Sequence, residues 1–422
     1  MHWWSISRRT GARAARSGAA ALLAAAAAVT GLSSPVGAAP AAAPVPALSA
    51  AEQAFALDLL HRLAPGRPNL VLSPSSIATL LAMLEPGAAG PTETGIAQAL
   101  GSGALSPQQQ ALAWRSLNNT LSRQAASDHV VLDTANELWL QSGFPVRSSY
   151  LALVTADFAA GVKEQDLDSD PAGSARVIDN WVASRTAGHI TNLLTASELQ
   201  HVVAVMVDAV YMDAPWQTPF DPSLTRSAPF HVAPGTTTNV PMMSTSQPLD
   251  VPVSATADLD AVELPYKGDD MSAVVLMPPL GQLGTFESQL TPAGLSATVS
   301  ALQQERADIK LPRFRLATSL RLNQVLSDMG MGQAFTPEAD FSPLSPRSLD
   351  LSFVVHDAQM NVSEKGTEAS AATGGGLTPT AMPAPPPVTI VFDHPFLFLV
   401  RDNATGAVIF EAQLTDPSSP EG

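Results

Sequence analysis

The sequence contains no cysteine among its 422 residues. This absence excludes disulfides, thiolate metal sites, a cysteine nucleophile and a lipid-modified cysteine anchor. The fold must therefore be held together by its apolar core, and a chain of this length can bury a large one.

Charged side chains are also scarce, at 14% of residues against about 25% in typical proteins. The 22 basic residues face 38 acidic ones, which gives a net charge of −16. All the acids lie at or after Glu52, whereas four arginines lie before residue 17, so the remaining 18 basic residues leave a balance of −20. Such a surface repels phosphate backbones and anionic lipids, which disfavours nucleic acid and membrane-surface partners.

No run after residue 50 is long and apolar enough to cross a bilayer. The N-terminus has another character, because its four arginines precede an Ala- and Leu-rich stretch, 18–32, in which only Thr30 is polar. A basic head, a short apolar middle and the small residues at 36–39 predict a secretory signal peptide over 1–39, with an uncleaved anchor as the alternative. We therefore expect a secreted, extracellular protein, and the Ala- and Pro-rich residues 40–50 are predicted to form a linker.

Motifs of common enzyme and metal sites are missing as well. There is no G-x-S-x-G and no H-E-x-x-H, and the eight histidines are scattered. Asp166, Asp168 and Asp170 imitate the start of a calcium loop, but Pro171 stands where such a loop needs glycine and Val177 where it needs glutamate. The sequence therefore predicts no catalytic residue, no metal site and no cofactor.

Apolar spacing predicts helices early in the chain and strands mostly later. A spacing of four between Phe55, Leu59 and Leu63 predicts an amphipathic helix, and a second helix is predicted to begin after Ser73 and to end at Pro86. Strands are predicted at 70–72, 202–212, 240–243, 260–266, 272–277, 307–315, 351–363, 388–392, 396–400 and 407–414, and a further helix near 319–329. Because helices and strands do not alternate regularly, the pattern favours the α+β class over a doubly wound sheet.

One stretch between two predicted strands, 364–387, has almost no large apolar side chain, but three consecutive glycines and five prolines. Loops of this length inside a compact domain are usually functional or disordered. Alternate residues from Thr367 are small, so the segment is compatible with a solvated loop in one state and a central strand in another. A flexible linker is the alternative from composition alone.

Short motifs follow one another in a fixed order from about Phe55 to Leu414. They are NLVLSPSSI (69–77), GAAGPT (87–92), LDTANELWL (132–140), IDNWVASRTAGHITNLL (178–194), VDAVYMDAPWQTPF (207–220), VPMM (240–243), VELPYKG (262–268), LPRF (311–314), MGMGQAFTPEADFS (329–342), VVHDAQMNVSEKGTEASAAT (354–373) and FDHPFLFLVRDNATG (392–406). In content and order they resemble the serpins, and the chain is identified as a secreted, prokaryotic-type member of that family.

The resemblance implies one domain, 51–417, with three β-sheets, eight or nine helices and a reactive-centre loop at 364–387, followed by a disordered tail, 418–422. Family inhibitors have a metastable fold and offer this loop to a serine protease, which cleaves it and is trapped as an acyl-enzyme when the loop inserts into the main sheet. The catalytic nucleophile belongs to the protease, so the resemblance implies an inhibitor and not an enzyme. It also implies a monomer. A non-inhibitory serpin acting as a binding or storage protein is the alternative, which the glycines at 374–376 favour slightly.

The position of the scissile bond is predicted by counting along the loop as in the family. Counting sixteen residues beyond Glu364 gives Thr380, whereas counting back from Phe392 gives a bond near Ala384. Most serine proteases reject proline just after the cut, which excludes the bonds after Met382 and Ala384 and leaves Thr380–Ala381 as the first choice and Ala381–Met382 as the second. Both bonds offer a small side chain, which predicts elastase-like or subtilisin-like targets rather than trypsin-like ones.

The resemblance also assigns roles to residues that support the loop. The hinge, where the loop leaves the sheet, comprises Glu364, Gly366, Thr367, Ala369, Ala371 and Thr373. A polar latch under the main sheet, and the point where the loop joins that sheet, comprise Ser73, Ser76, Asp208, His356, Trp216 and Arg313, with Glu364 paired to Arg313. The chain departs from the family at Asp208, where asparagine is usual, and we expect this acid to favour a charged imidazolium at His356.

Overall fold

The computed structural model describes residues 45–103, 105, 107–128, 130–158, 162–367 and 386–419. Those residues form nine α-helices, most of them early in the chain. They are α1 (Val45–Leu63), α2 (Pro74–Leu84), α3 (Gly90–Ala99), α4 (Pro107–Asp128), α5 (Ser148–Phe158), α6 (Pro171–Arg185), α7 (Leu283–Gln289), α8 (Pro292–Ala301) and α9 (Asn323–Leu326). Several begin with proline in the first turn, where the missing N–H costs no hydrogen bond.

Sixteen strands are found in the same residues. They are β1 (Asn69–Leu72), β2 (Val131–Gln141), β3 (Val162–Gln165), β4 (Ala204–Pro215), β5 (Arg226–Ala233), β6 (Thr236–Ser244), β7 (Leu249–Ala255), β8 (Asp260–Pro265), β9 (Met271–Met277), β10 (Gln303–Pro312), β11 (Phe314–Arg321), β12 (Phe353–Ser363), β13 (Gly366–Thr367), β14 (Val388–Val391), β15 (Phe396–Asp402) and β16 (Val408–Leu414). The mixture and its order confirm the α+β class.

The strands form two hydrogen-bonded sheets. The larger has ten strands, in the order β1-β16-β15-β9-β8-β7-β10-β6-β5, with β14 also paired to β10. The smaller has six, in the order β11-β12-β13-β4-β2-β3. Two of the three expected sheets are joined because β10 is long enough to pair with β7 near its start and with β6 and β14 near its end.

The six-stranded sheet has an apolar core on each face. Side chains alternate along its strands, so that on β4 Met206, Val210 and Met212 pack into the larger core with α2. Val205 and Val207 point to the other face, where α6 covers a smaller core that contains Ile178. The sheet is therefore a central layer, and a strand added to it would be buried on both faces.

Direct pairing between β12 and β4 extends over only part of their length. The two strands run parallel and pair from Phe353–Val205 to Gln359–Tyr211. Beyond that point they separate, and β13 lies between them, paired antiparallel to Ser363 on one side and to Pro215 on the other. We call the last direct pair, Gln359–Tyr211, the fork.

Some predicted boundaries differ from the structure. Helix α1 begins at Val45, inside the predicted linker 40–50, because Leu48 and Ser49 are buried against the domain. The predicted strand 307–315 is two strands in different sheets, which meet at Arg313 after Pro312. The helix predicted near 319–329 is shorter, since β11 continues to Arg321 and α9 has only four residues.

The C-terminal boundary also differs in part from its prediction. Ser419 lies in the predicted disordered tail, yet its carbonyl accepts a hydrogen bond from Asn69 at 3.0 Å. All the described residues belong to one compact unit. Among the described residues, no helix combines the length and apolar character needed to span a membrane.

Candidate functional site: a split sheet, a hinge and a buried latch

The hinge occupies the split between β12 and β4. Gly366 and Thr367 pair with both strands, so these two residues already form the start of a central strand. Both are buried, and Thr367 is only 1% exposed. Its inward orientation agrees with the alternating pattern in the sequence.

Gly366 cannot be replaced by a residue with a side chain without moving the backbone. Its φ of +151° belongs to a region that residues other than glycine rarely adopt. A Cβ at this position would lie 2.1 Å from the carbonyl oxygen of Ala214 and 2.6 Å from Cα of Pro215. The close approach of the hinge to β4 therefore requires glycine here.

An aromatic pair supports the hinge from one side. The indole of Trp216 stacks on the ring of Tyr266, with centroids 4.7 Å apart and planes within 5° of each other. The Tyr266 hydroxyl lies 2.7 Å from Oγ1 of Thr367, and burial raises the pKa of Tyr266, which keeps this hydroxyl protonated. The Trp216 indole N–H donates to the carbonyl of Ser363 at 3.0 Å.

Glu364 anchors the chain just before the hinge. Its Oε1 accepts a hydrogen bond from the Thr225 hydroxyl at 2.7 Å and lies 3.6 Å from a guanidinium nitrogen of Arg313. The Arg313 side chain is half exposed, so water screens this predicted ion pair and the shorter Thr225 bond is the stronger contact. The Glu364 carbonyl also accepts the N–H of Phe220 at 2.8 Å.

The predicted latch residues meet beneath the closed half of the β12–β4 pair. Asp208 and His356 stand opposite each other in register, and both are fully buried. Nδ1 of His356 lies 2.8 Å from Oδ2 of Asp208, and the Ser76 hydroxyl donates to Oδ1 at 2.5 Å. Asn136 lies beside them, and its amide nitrogen donates to the carbonyl of Ser76 at 3.3 Å.

The geometry of the latch corrects the expected imidazolium at His356. The backbone N–H of Ser73 donates to Nε2 of His356 at 3.2 Å, so this nitrogen carries a lone pair and not a proton. The single ring proton is then on Nδ1, which donates to Asp208. The arrangement holds a neutral imidazole, because a backbone donor occupies the second ring nitrogen. The Ser73 hydroxyl itself turns away and donates to the carbonyl of Ile409 at 2.7 Å.

Comparison with known proteins decides the family. The sequence profile described as "Serpin (serine protease inhibitor)" matches residues 50–417. The chain belongs to the serpins. A serpin-like protein of Thermococcus kodakarensis is 34% identical over 86% of this chain and 84% of its own length.

Two further comparisons connect this serpin to proteins with descriptive names. Leukocyte elastase inhibitor of Sus scrofa is 32% identical, over 88% of this chain and 99% of the inhibitor. The crystal structure of human thyroxine-binding globulin, determined as a ligand complex, is 25% identical with a TM-score of 0.77, over 88% of this chain and 98% of that one. The expected family and fold are thus confirmed.

Part of the predicted site lies outside the described residues of this serpin. This applies to the outer hinge residues Ala369, Ala371 and Thr373, and to the two candidate scissile bonds, Thr380–Ala381 and Ala381–Met382. Their assignments stay predictions.

Sequence reasoning missed two residues that contact the hinge. Tyr266 lies within the quoted VELPYKG motif, so its presence was visible but its hydrogen bond to Thr367 was not. Thr225 lies outside every quoted motif, and its contact with Glu364 depends on a long-range approach of two loops. No local signal could have found it.

Proposed function

We propose that this serpin is a suicide-substrate inhibitor of serine proteases, and not itself an enzyme. The observation that carries this proposal is the split sheet, in which Gly366 and Thr367 already occupy the first positions of an additional central strand. The residues that follow in sequence are small at alternate positions, so the strand could continue without burying a charge on the inward face.

The proposed mechanism uses the length of the segment. Residues 367–380 would extend roughly 45 Å as a strand. A protease attached at residue 380 would be carried about that far when the cleaved segment inserted. Deacylation needs a triad and an oxyanion hole held to fractions of an ångström, so this pull would stall hydrolysis.

The proposed targets prefer small residues at the cleaved bond. Thr380–Ala381 is the first candidate and Ala381–Met382 the second, and neither offers the basic side chain that a trypsin-like pocket requires. The similarity to a leukocyte elastase inhibitor is consistent with an elastase-like or subtilisin-like target. We also propose secretion through the segment 1–39, a monomeric state and an extracellular site of action.

A second candidate function is a binding or storage protein whose loop does not insert. The similarity to thyroxine-binding globulin supports this alternative, because that relative is named for binding a ligand. The two functions differ in one observable, the covalent complex with a protease.

The deciding experiment incubates the protein with an elastase, a subtilisin and a trypsin, followed by denaturing gels and mass spectrometry. An SDS-stable adduct with the first two is expected, and the first residue of the released C-terminal peptide identifies the scissile bond. Clean cleavage without an adduct, and without a rise in melting temperature after the cut, would favour the binding protein.

A matched variant tests the role of the hinge. Ala371→Arg places a charge at a position that the alternation from Thr367 predicts to face inward only when the strand lengthens, so insertion should become costly. The variant should still be cleaved at the same bond but should release the protease intact. An unchanged yield of adduct would contradict insertion at this hinge.

A further inference from the structure

The fork, Gln359–Tyr211, is the first pair that must separate when a strand enters between β12 and β4. Seven direct pairs join the two strands, from Phe353–Val205 up to the fork, and β13 lies between the strands at the open end. A strand that lengthens from Thr367 therefore breaks the fork before any other pair. Whatever holds the fork resists the first step of insertion.

One residue outside the sheet contacts both sides of the fork. The imidazole of His189 stacks on the ring of Tyr211, with centroids 4.0 Å apart and planes within 8° of each other. The carbonyl oxygen of the same His189 accepts a hydrogen bond from Nε2 of Gln359 at 3.0 Å. His189 thus bridges β4 through its side chain and β12 through its backbone.

A rigid turn at the end of α6 holds His189 in this position. The N–H of His189 donates to the carbonyl of Thr186 at 2.8 Å, and the N–H of Gly188 donates to that of Ala183 at 2.8 Å. Ala187 and Gly188 both have positive φ, 49° and 81°, a conformation that alanine adopts only at a cost. This strained turn directs His189 onto the sheet.

We propose that His189 is a positioning residue that clasps the fork and slows loop insertion, an inference that rests on the inhibitory function proposed above. Adding a strand moves β12 and β4 apart by one further strand spacing, about 4.8 Å. The stacking contact and the hydrogen bond both fail over such a distance, so His189 cannot keep both partners. Releasing at least one of them becomes part of the barrier to insertion.

The clasp acts before the latch and on the opposite face of the sheet. Tyr211 and Asp208 are three residues apart on β4, roughly 10 Å along the strand, and their side chains point to opposite faces. An entering strand reaches the pair held by His189 first and the pair held by Asp208 and His356 second. Insertion therefore meets two successive restraints, one above the sheet and one below it.

The test measures sheet opening directly, in the intact full-length protein. A synthetic peptide with the sequence of residues 368–380 is added in excess, and its uptake is followed by native gel and by mass. His189→Ala should take up the peptide about tenfold faster than the wild type, because the stacking contact is lost. His189→Phe, which keeps a ring over Tyr211, should stay within about twofold of the wild type.

Further variants separate a clasp from general destabilisation. Gln359→Leu removes the donor on the other strand and should speed uptake about three- to fivefold. Thr191→Ala changes an exposed neighbour in the same segment and should have no effect. Leu295→Ala opens a cavity in α8, away from the fork, and should lower the melting temperature without speeding uptake.

Equal uptake rates for the wild type and His189→Ala would overturn the clasp, and so would faster uptake by Leu295→Ala. Failure of the peptide to enter any variant would overturn it too, since the sheet would then not open at the fork. The adduct assay with proteases is independent of these rates. A covalent adduct together with equal uptake rates would reject the clasp and leave the inhibitory function standing.

Discussion

Two buried polar clusters in this serpin avoid the cost of an unpaired buried charge in different ways. The latch surrounds Asp208 with donors, because Ser76 and His356 each direct a proton at one carboxylate oxygen. The second cluster, which we call the acid cluster, brings together Glu52 of α1, Glu287 of α7 and Glu411 of β16, all of them buried. Both oxygens of Glu411 accept no hydrogen bond from the described residues.

The difference shows in how each cluster avoids an unpaired buried charge. Burial raises the pKa of Glu52 and that of Glu287 to about 8, and the pKa of Glu411 well above its ordinary range. The charges of Glu52 and Glu287 raise the Glu411 value further. The acid cluster therefore avoids charge by keeping protons, whereas the latch compensates its acid with hydrogen bonds.

The location of each cluster matches its chemistry. The latch lies beneath β12 and β4, which separate during the proposed insertion, and its hydrogen bonds hold those strands together in register. The acid cluster lies between helices and β16 of the larger sheet, where no movement is proposed. Directional hydrogen bonds can keep β12 and β4 in register, which is where the proposed movement occurs. The acid cluster lies where no movement is proposed, and there protonation alone removes the buried charge.

The largest effect is expected from removing the acid of the latch. Asp208→Ala leaves the donors of Ser76 and His356 buried without an acceptor, at a cost of about 4 kcal/mol. The melting temperature should fall by about five degrees. Asp208→Asn is the matched control, since its amide oxygen still accepts one of the two bonds, and it should lose less than half as much. Equal losses in the two variants would contradict the network.

The acid cluster should respond with the opposite sign. Glu411→Met replaces a buried carboxyl that has no hydrogen-bond partner among the described residues by an apolar side chain of similar length, so it should stabilise the protein by about 2 kcal/mol at pH 8. Thermal melts at pH 5 and pH 8 provide the measurement. A loss of stability at pH 8 would show that Glu411 is ionised and paired, which would remove the contrast with the latch.

The pH dependence of stability tests the same contrast without a mutation. Glu52 and Glu287 bind protons more tightly in the folded protein than in the unfolded chain, so their contribution is complete below about pH 4.5 and is lost as pH rises toward 8. The melting temperature should therefore decline steadily from pH 5 to pH 8.5, and Glu411→Met should flatten the decline. A profile that rises over this range would contradict proton uptake by the cluster.

The smallest effect is expected from single hydroxyls in the latch. Ser76→Ala removes one of the two donors to Asp208 and should cost about 1.5 kcal/mol, with faster uptake of the loop peptide. Ser73→Ala is the control, because its hydroxyl donates to Ile409 on the larger sheet while its backbone bond to His356 is kept. The peptide uptake of Ser73→Ala should match that of the wild type, whatever the change in its melting temperature.

Much of the candidate site could be predicted from the sequence, through its resemblance to a family. The resemblance assigns roles to Trp216, Glu364, Arg313 and the latch residues, and these side chains lie at the hinge and beneath the sheet. Their precise contacts could not be predicted. The backbone N–H of Ser73, and not its hydroxyl, donates to His356. The hydroxyl donates instead to the carbonyl of Ile409 on β16, a strand from the far end of the chain.

Boundaries were predicted less well where the chain passes from one sheet to the other and where a helix extends into a predicted linker. In 307–316 the apolar residues move from odd to even positions at Arg313, where the chain leaves one sheet at Pro312 and enters the other at Phe314. Likewise, α1 extends back to Val45 because Leu48 finds a buried position in the domain. Which sheet a strand joins, and at which residue a helix begins, depend on the buried surfaces that lie nearby in the folded protein.

The sequence by itself determined the family, the α+β class, the composition of the hinge and the absence of cysteine chemistry, since these follow from residue types and their order. Only the tertiary structure decided where β12 and β4 part, that His189 spans the fork, and that three carboxyls share one buried region. The physical reason is that residue types act locally, whereas strand separation, clasping and proton uptake arise from groups far apart in the chain that packing brings together.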